Sequence, residues 1–382
     1  MWMQVAAHLL VLFSLDAAVA LQIPRPVITP SGNPTRWDAA CVANPVVLPP
    51  TAADEDWRCF YYGNRGGYND DDGGWAGGVK CFLPTGYCGL ATSSDGVEWT
   101  PVDGKNADKS IFGPGEPDAW DGLHVGVGDV VRLSNGTLIM FYLGGSNEAV
   151  PMGPAKLAGV RMQIGRAMSD DGGLSWQRCS SKPLIEAEPT EGLFASWPRV
   201  LTPAGEGGEW LMTYHAFNGS HWNVFRATSS DMGLSWVRQG RVLAPGDADA
   251  FDSSGIGTRA MCEWRDQLLM IFEGVGGDGK HRLGAAVSAD GGVSWDKMQF
   301  DTQQLSAGAA KEASDPGGPI LSPGGAAGAW TAQVVGTPYL VPMADGSLRL
   351  FHCAKTTETN MSIGLLESPS GDVSVDAWRP LC

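Results

Sequence analysis

An all-β fold of five repeated four-stranded units is what the sequence predicts, and three observations carry it. The first is a stretch that keeps returning. Ser288 to Trp295 reads S-A-D-G-G-V-S-W, Ser229 to Trp236 reads S-S-D-M-G-L-S-W, Ser169 to Trp176 reads S-D-D-G-G-L-S-W, and Ser93 to Trp99 is a shortened S-S-D-G-V-E-W. Self-similarity at intervals of this size is the signature of a repeat architecture. The second is order: each copy follows an aromatic strand and then a strand of small residues. The third is composition, with 52 glycines and 15 tryptophans among 382 residues and no long helical periodicity after the first 20. That mixture suits many tight turns and aromatic strand ends.

The recurring stretch reads as a hairpin. Its aspartate can accept from backbone N–H groups two or three residues on. The glycine two residues later supplies a positive φ. The tryptophan then opens the return strand and covers the turn. With aspartates at Asp95, Asp171, Asp231 and Asp290, the stretch resembles the Asp-box of β-propeller proteins. That resemblance implies a five-bladed β-propeller, whose blades are four-stranded antiparallel sheets arranged radially.

The blades can be laid out in order. Blade 1 runs from Trp37 through Trp57 and Tyr62 to Trp99, and blade 2 from Trp120 through Leu138 and Tyr142 to Trp176. Blade 3 runs from Phe194 through Trp210 and Tyr214 to Trp236, and blade 4 from Phe251 through Leu268 and Phe272 to Trp295. Blade 5 runs from Trp330 through Leu348 and Phe351 to Trp378, with a degenerate hairpin, S-P-S-G-D-V, from Ser368. Ser134-Asn-Gly136 and Ala344-Asp-Gly346 are hairpin turns between apolar runs. The propeller domain is thus residues 36–382, after a proline-rich lead-in at 21–35.

Residues 1–20 are mostly apolar and end Ala18-Val-Ala20, the pattern of a secretory signal. The expectation is a secreted protein or one of the secretory pathway, with a plastid address as the alternative. The three N-x-S/T triplets at Asn135, Asn218 and Asn360 agree with export. No later run is long enough for a membrane span. The net charge of −16 and only 26 Lys+Arg argue against nucleic acid, and an acidic chain suits a neutral partner such as a carbohydrate. No cofactor motif and no metal site are read. Gly274 to Lys280 approximates a phosphate loop, but His281 stands where Ser or Thr is needed. Asn69-Asp-Asp-Asp72 lacks the spacing of a calcium loop. Of eight scattered cysteines, Cys81 and Cys88 flank a short turn and form the expected local disulfide.

In a propeller the first strand of each blade lines the central channel, so ligands meet residues near the blade starts. Those starts hold Asp38 in R-W-D-A, Asp121 and His124 in A-W-D-G-L-H-V, and Trp197 and Arg199 in S-W-P-R. They continue with Asp252 and Arg259 in F-D-S-S-G-I-G-T-R and Thr337 in V-G-T-P. Three aspartates at the same point, each after an aromatic residue, would converge and raise at least one carboxyl pKa. That arrangement supplies the acid and base of glycoside hydrolysis. The structural alternative is that each caps a turn. The second strands end in Tyr214-His215, Phe272-Glu273 and Phe351-His352. Glu273 after an apolar run needs a function or a partner, with Arg259 as the structural partner.

These blade starts resemble the five-bladed β-propeller glycoside hydrolase superfamily of arabinanases, furanosidases, β-xylosidases, invertases and levansucrases, over essentially the whole chain after residue 35. The resemblance implies Asp38 as base or nucleophile and Asp121 as the orienting carboxylate, with His124 beside it. It leaves Glu273 or Asp252 as proton donor, because no glutamate opens a blade in this reading. Trp197 and Tyr214 would stack on a sugar, and Arg199, His215, Arg259, Thr337 and His352 would complete the substrate site. Cleavage of an arabinofuranoside, xyloside or fructoside type of bond is the implied activity. Two rivals stand beside it: a sialidase-like enzyme, which needs three arginines on one carboxylate, and a catalytically inactive propeller that binds carbohydrate or protein.

Overall fold

The computed structural model describes residues 25–52, 55–66, 75–76, 79–81, 83–152, 155–203, 207–300, 318–324, 329–355 and 360–381. Asn69 to Asp72 and residues 1–20 lie outside them. Blade 1 contains β1 (Cys41–Leu48) and β2 (Trp57–Asn64). Two short strands, β3 (Trp75–Ala76) and β4 (Val79–Cys81), precede β5 (Gly86–Ser93) and β6 (Thr100–Val102). Blade 2 contains β7 (His124–Arg132) and β8 (Leu138–Gly145), then the short β9 (Val150–Met152) and β10 (Ala155–Ala158), then β11 (Met162–Ser169) and β12 (Gln177–Arg178). Blade 3 is β13 (Ala195–Leu201), β14 (Trp210–Phe217), β15 (Trp222–Ser229) and β16 (Val237–Leu243). Blade 4 is β17 (Gly255–Trp264), β18 (Gln267–Val275), β19 (His281–Ser288) and β20 (Asp296–Lys297). Blade 5 is β21 (Val334–Pro342), β22 (Leu348–Lys355), β23 (Ser362–Ser368) and β24 (Arg379–Pro380).

Each blade is an antiparallel meander, and β3, β4, β10 and β9 form a separate small sheet. Blades 3 and 4 touch through one parallel bridge, Trp222 to Gly255. The first strands contact one another in sequence, β1 to β7 to β13 to β17 to β21, and β21 contacts β1. The ring is therefore closed.

The apolar core follows that ring, because each sheet can bury its faces only against its neighbours. Five inter-blade layers result. Phe60 and Leu90 pack with Val127 and Met140 between blades 1 and 2, and Phe141 and Ile164 with Met212 and Trp210 between blades 2 and 3. Val224 and Leu243 pack with Ile256 and Met270, and Leu269 and Ile271 with Leu340 and Leu350. Phe351 and Ile363 with Val42 and Trp57 complete the circle. The chain before blade 1 adds to that last seam, since Val27 and Ile28 bond to Ile363 of β23.

The repeated hairpin closes by the mechanism its residues imply, with serine as an added partner. In blade 3 the Ser229 hydroxyl donates to Asp231 at 2.7 Å, and Asp231 Oδ1 accepts from the amides of Leu234 and Ser235 at 3.0 and 2.9 Å. The Ser235 hydroxyl donates to Oδ2 at 2.5 Å. Gly233 has φ of 76°, and a Cβ there would also meet Phe141 of blade 2 at 2.7 Å. The hairpin glycines of blades 2 and 4 lie on the preceding blade in the same way, Gly173 on Phe60 and Gly292 on Leu211. In blade 5, where the motif is degenerate, Gly371 O instead accepts from Trp264 Nε1 of blade 4 at 2.8 Å.

At the axis stands Arg199, only 2% exposed, bonded to every other blade. Its Nε donates to Arg259 O of blade 4 at 2.6 Å, and its Nη1 to Gly128 O of blade 2. Its Nη2 donates to Asn44 Oδ1 of blade 1 at 3.1 Å and to Pro338 O of blade 5 at 3.3 Å. The guanidinium also lies 5.1 Å from the Tyr339 ring, whose hydroxyl donates to Asp129 at 3.3 Å. Removing one partner of a buried charge network leaves the rest unpaired. Arg199→Ala is therefore expected to lower the unfolding free energy by about 3–5 kcal/mol, read from urea denaturation.

Acid stability has a separate source. The Ser235 hydroxyl and amide hold the Asp231 carboxyl down at about 2. A folded pKa below the unfolded value gives stability that is full above the ordinary aspartate pKa and is lost as pH falls through about 2. Between about pH 5 and about pH 2 the denaturation midpoint of the wild type should fall more steeply than that of Asp231→Asn.

Candidate active site

All five first strands break register at the same height: between Ala43 and Val46, Val127 and Asp129, Ser196 and Arg199, Ile256 and Arg259, and Gly336 and Tyr339. Bulges of this kind re-aim side chains and backbone groups. In three of them the residue before a proline takes positive φ: Asn44 (52°), Trp197 (47°) and Thr337 (42°). Such conformations cost of order 1–3 kcal/mol each when they are over-determined by their surroundings. Arg199 plugs the axis just past the bulges. The side where the first strands begin is the mouth of the channel.

Glu273 of β18 lies at that end, level with the bulge of β17 and against Gly336 of β21, and is 8% exposed. Its Oε2 accepts from the Thr258 hydroxyl and from Thr337 N of blade 5 at 3.2 Å. Its Oε1 accepts from His281 Nδ1 at 2.5 Å. Burial pushes this carboxyl up, but His281, Thr258 and the Thr337 amide more than offset it and hold it below the usual glutamate value. A carboxyl held low is an ionised group, not a resting proton donor. Thr337 is tied in turn to blade 1, its hydroxyl accepting from Asn44 N at 3.1 Å.

Beside Glu273 lies a second group. Arg259, fully buried, donates to Thr213 Oγ1 at 3.2 Å, to Gly257 O at 3.0 Å, to the Trp197 carbonyl and to His215 Nδ1 at 3.3 Å. An arginine only donates, so His215 Nδ1 accepts and its proton sits on Nε2. Burial, then the Arg259 charge, lower the His215 pKa to about 3, which makes it a neutral imidazole. Its ring lies 5.1 Å from that of the half-buried Trp197. The expected pairing of Glu273 with Arg259 is replaced by Thr258 and His281.

The blade-start aspartates do not converge. Each is bonded within its own blade. Asp121 accepts from the Tyr142 hydroxyl at 2.9 Å and from Arg178 Nε of the outer β12 at 2.7 Å. Asp252 accepts from Lys297 of the outer β20 at 2.5 Å and from Gly246 N at 3.0 Å. Asp38 accepts from Arg36 at 3.2 Å. Blade 3 has a fourth member, Glu191, which accepts from the Tyr214 hydroxyl at 2.9 Å and pairs with Arg238 of the outer β16. In blades 2 and 3 the arrangement is a clamp between the blade start, its second strand and its last strand, and in blade 4 the start is tied to the last strand. Glu191 escaped the sequence reading because it precedes Phe194 by three residues, where the other blades place an aspartate directly after the aromatic ring.

The remaining candidates divide in the same way. Tyr214 belongs to the blade 3 clamp and Arg199 to the axis. His124 Nε2 donates to Gly159 O at 2.9 Å and is buried, which lowers its pKa. His352 is buried against Trp330, at 5.6 Å between rings, and its pKa falls to about 4. Trp197, His215, Arg259, Glu273 and Thr337 are brought together at the mouth. Asn44, Thr258 and His281 join them and were not foreseen. His281 had drawn notice only as the residue that spoils a phosphate loop.

Among the described residues no group of three His, Cys, Asp or Glu is placed to hold a metal ion. The expected Cys81–Cys88 disulfide does not form: Cys88 is a free, buried thiol. It packs in the core between blades 1 and 2 with Phe60 and Leu90, while Cys81 pairs as β4 with Ala158 of the small sheet. The two arginines of a sialidase-like site, Arg199 and Arg259, are spent on internal acceptors. No helix among the described residues is long and apolar enough to cross a membrane.

The fold is shared with solved structures of glycoside hydrolases. A glycoside hydrolase superposes with a TM-score of 0.62 at 16% identity, over 94% of each chain. A structure from the GH130 family of mannoside phosphorylases, described as containing glycoside hydrolases that target β-1,2 mannosidic linkages in Candida mannan, gives 0.58 at 16% identity, over 90% of this chain and 92% of that one. A thermostable family-43 glycoside hydrolase gives 0.57 at 14%, over 89% and 93%. No protein-family profile and no curated protein sequence matches the chain. The likeness is one of fold, as the blade-start resemblance implied.

The clamps make a prediction of their own. Asp121→Asn should lower the unfolding free energy by about 1–3 kcal/mol, because the partly buried Arg178 loses its charge partner. Thermal melting beside the wild type reads it.

Proposed function

We propose that the chain cleaves a glycosidic bond at the channel mouth, releasing a terminal sugar of the arabinofuranoside, xyloside or fructoside type. One observation carries the reading: the Glu273 carboxyl is fixed by bonds from blades 4 and 5, which hold its pKa below the usual glutamate value. Glycosidic cleavage passes through a transition state with positive charge on the sugar ring. A fixed carboxylate in a desolvated place stabilises that charge without reorganising. The half-buried Trp197 offers an aromatic face for the sugar, with neutral, buried His215 behind it. Arg199 and Arg259 are engaged by internal acceptors, which suits an uncharged sugar. The glycoside hydrolase folds above support the reading at the level of scaffold.

The test is a panel of aryl glycosides: arabinofuranoside, xyloside, fructoside-type, mannoside and sialoside. Turnover is expected on one of the neutral sugars, falling about 10²–10³-fold in Glu273→Gln. Asp252→Asn, a clamp variant, should melt earlier but keep its turnover. No turnover by folded wild type on any sugar would remove the enzyme reading and leave a binding propeller. Turnover of the sialoside alone would move the chain to the sialidase-like class.

A further inference from the structure

An ionised Glu273 leaves the departing alcohol without a proton, and the imidazole bonded to that carboxylate, His281, can supply it. His281 opens β19. The register sets Leu283 opposite Glu273 and Val275 opposite His281, so His281 and Glu273 are diagonal neighbours on one face of blade 4. That face looks toward blade 5, which presents the backbone of Gly336 and Thr337 and the buried Cys353 thiol. Nδ1 of His281 is anchored on Glu273 at 2.5 Å. The side chain is 38% exposed, and among the described residues Nε2 has no protein partner. The pair repeats a familiar logic, in which a carboxylate fixes the tautomer and orientation of an imidazole whose other nitrogen does the work.

We propose that His281 is the proton donor of this reaction through Nε2, and that Glu273 is the positioning residue that orients the ring and keeps it charged. The proposal rests on the glycosidase reading. The Nε2–H bond breaks as the proton passes to the glycosidic oxygen. The C–O electron pair leaves with the alcohol. Water then adds to the anomeric carbon, and its proton returns to the neutral Nε2. Atoms and charge balance with water as the one co-reactant.

The electrostatics agree. The hydrogen bond to Glu273 raises the His281 pKa above its ordinary value, against the opposing effect of burial. The neighbouring cations are already engaged: Arg282 pairs with Asp278 at 2.7 Å, and Lys280 stands 3.9 Å from the same carboxylate. On the channel side, beyond Glu273, come neutral His215 and then Arg259. A raised folded pKa means the donor form is full at low pH and is lost as pH rises through the folded value.

Substrates with different leaving groups separate a proton donor from a structural residue. Dinitrophenolate departs without a proton, whereas an alkoxide or methoxyphenolate does not. His281→Ala should lose about 10²–10⁴-fold on the methoxyphenyl glycoside and stay within a few-fold of wild type on the dinitrophenyl glycoside. His281→Gln, closer in shape, should behave alike if the alanine variant folds poorly. Glu273→Gln should shift the alkaline limb of the pH profile to lower pH and lower the His281 titration seen by NMR toward about 6.5. Equal loss on both leaving groups, or an unmoved limb and titration, overturns the assignment while leaving the enzyme reading intact. A wild type inactive on every glycoside overturns both.

Discussion

The structure turns on one buried guanidinium. Closing five sheets into a ring brings the inner strands together where their bulges leave carbonyl groups aimed at the axis, away from water. Unpaired acceptors there are costly. Arg199 answers four of them with one planar fork, and reaches a different blade with each bond. Burial weakens its hold on the proton, yet an arginine stays charged in a protein. Beside it stand the Tyr339 ring, which offers a π face, and Asp129, whose carboxyl is pushed up by burial.

The mouth inherits its geometry from this hub. The bulge that offers Pro338 O to Arg199 also turns Thr337 N toward Glu273 and its hydroxyl toward Asn44. The bulge that carries Arg199 holds Trp197 in a left-handed conformation with its carbonyl on Arg259. Asn44, Trp197 and Thr337 are thus fixed by backbone irregularities at the axis, and Glu273 is bonded to the last of them. Carboxylates serve two separate purposes in the same scaffold. At the blade starts they brace a sheet against its own outer strand. In blade 4 an additional one, a strand further along, faces the channel.

Much of the fold was legible because repetition is a long-range signal written locally. Serine, aspartate, glycine and tryptophan at fixed offsets specify a hairpin, and four hairpins at blade-sized intervals specify the ring. The apolar strand runs gave the inter-blade core. The site was legible only in part. Trp197, His215, Arg259, Glu273 and Thr337 could be placed near one another because blade starts and second-strand ends lie close to the axis in any propeller. The partners of Asp38, Asp121 and Asp252 were not legible, since Arg36, Arg178 and Lys297 come from loops or outer strands that no spacing rule connects to them. The pairing of His281 with Glu273 could not be read at all: the two are diagonal neighbours across β18 and β19, and register is a property of the folded sheet. The Cys81–Cys88 pairing failed for a related reason, because β4 is drawn into a sheet with blade 2.

The staple at the seam bears on how the molecule is made. Val27 and Ile28 find their only described strand partner at Ile363, in the last blade. During synthesis this segment emerges hundreds of residues before the strand that receives it. Blades 1 to 4 can stack as they appear, each on its predecessor, but blade 1 keeps a bare apolar flank, Val42, Trp57 and Cys59, until blade 5 arrives. Contacts so distant in sequence form late and slowly, and unpaired flanks are where nascent chains associate wrongly. The hazard to a nascent chain of this protein is therefore concentrated in the interval before its final blade docks, when a second chain's blade 5 could occupy the same flank.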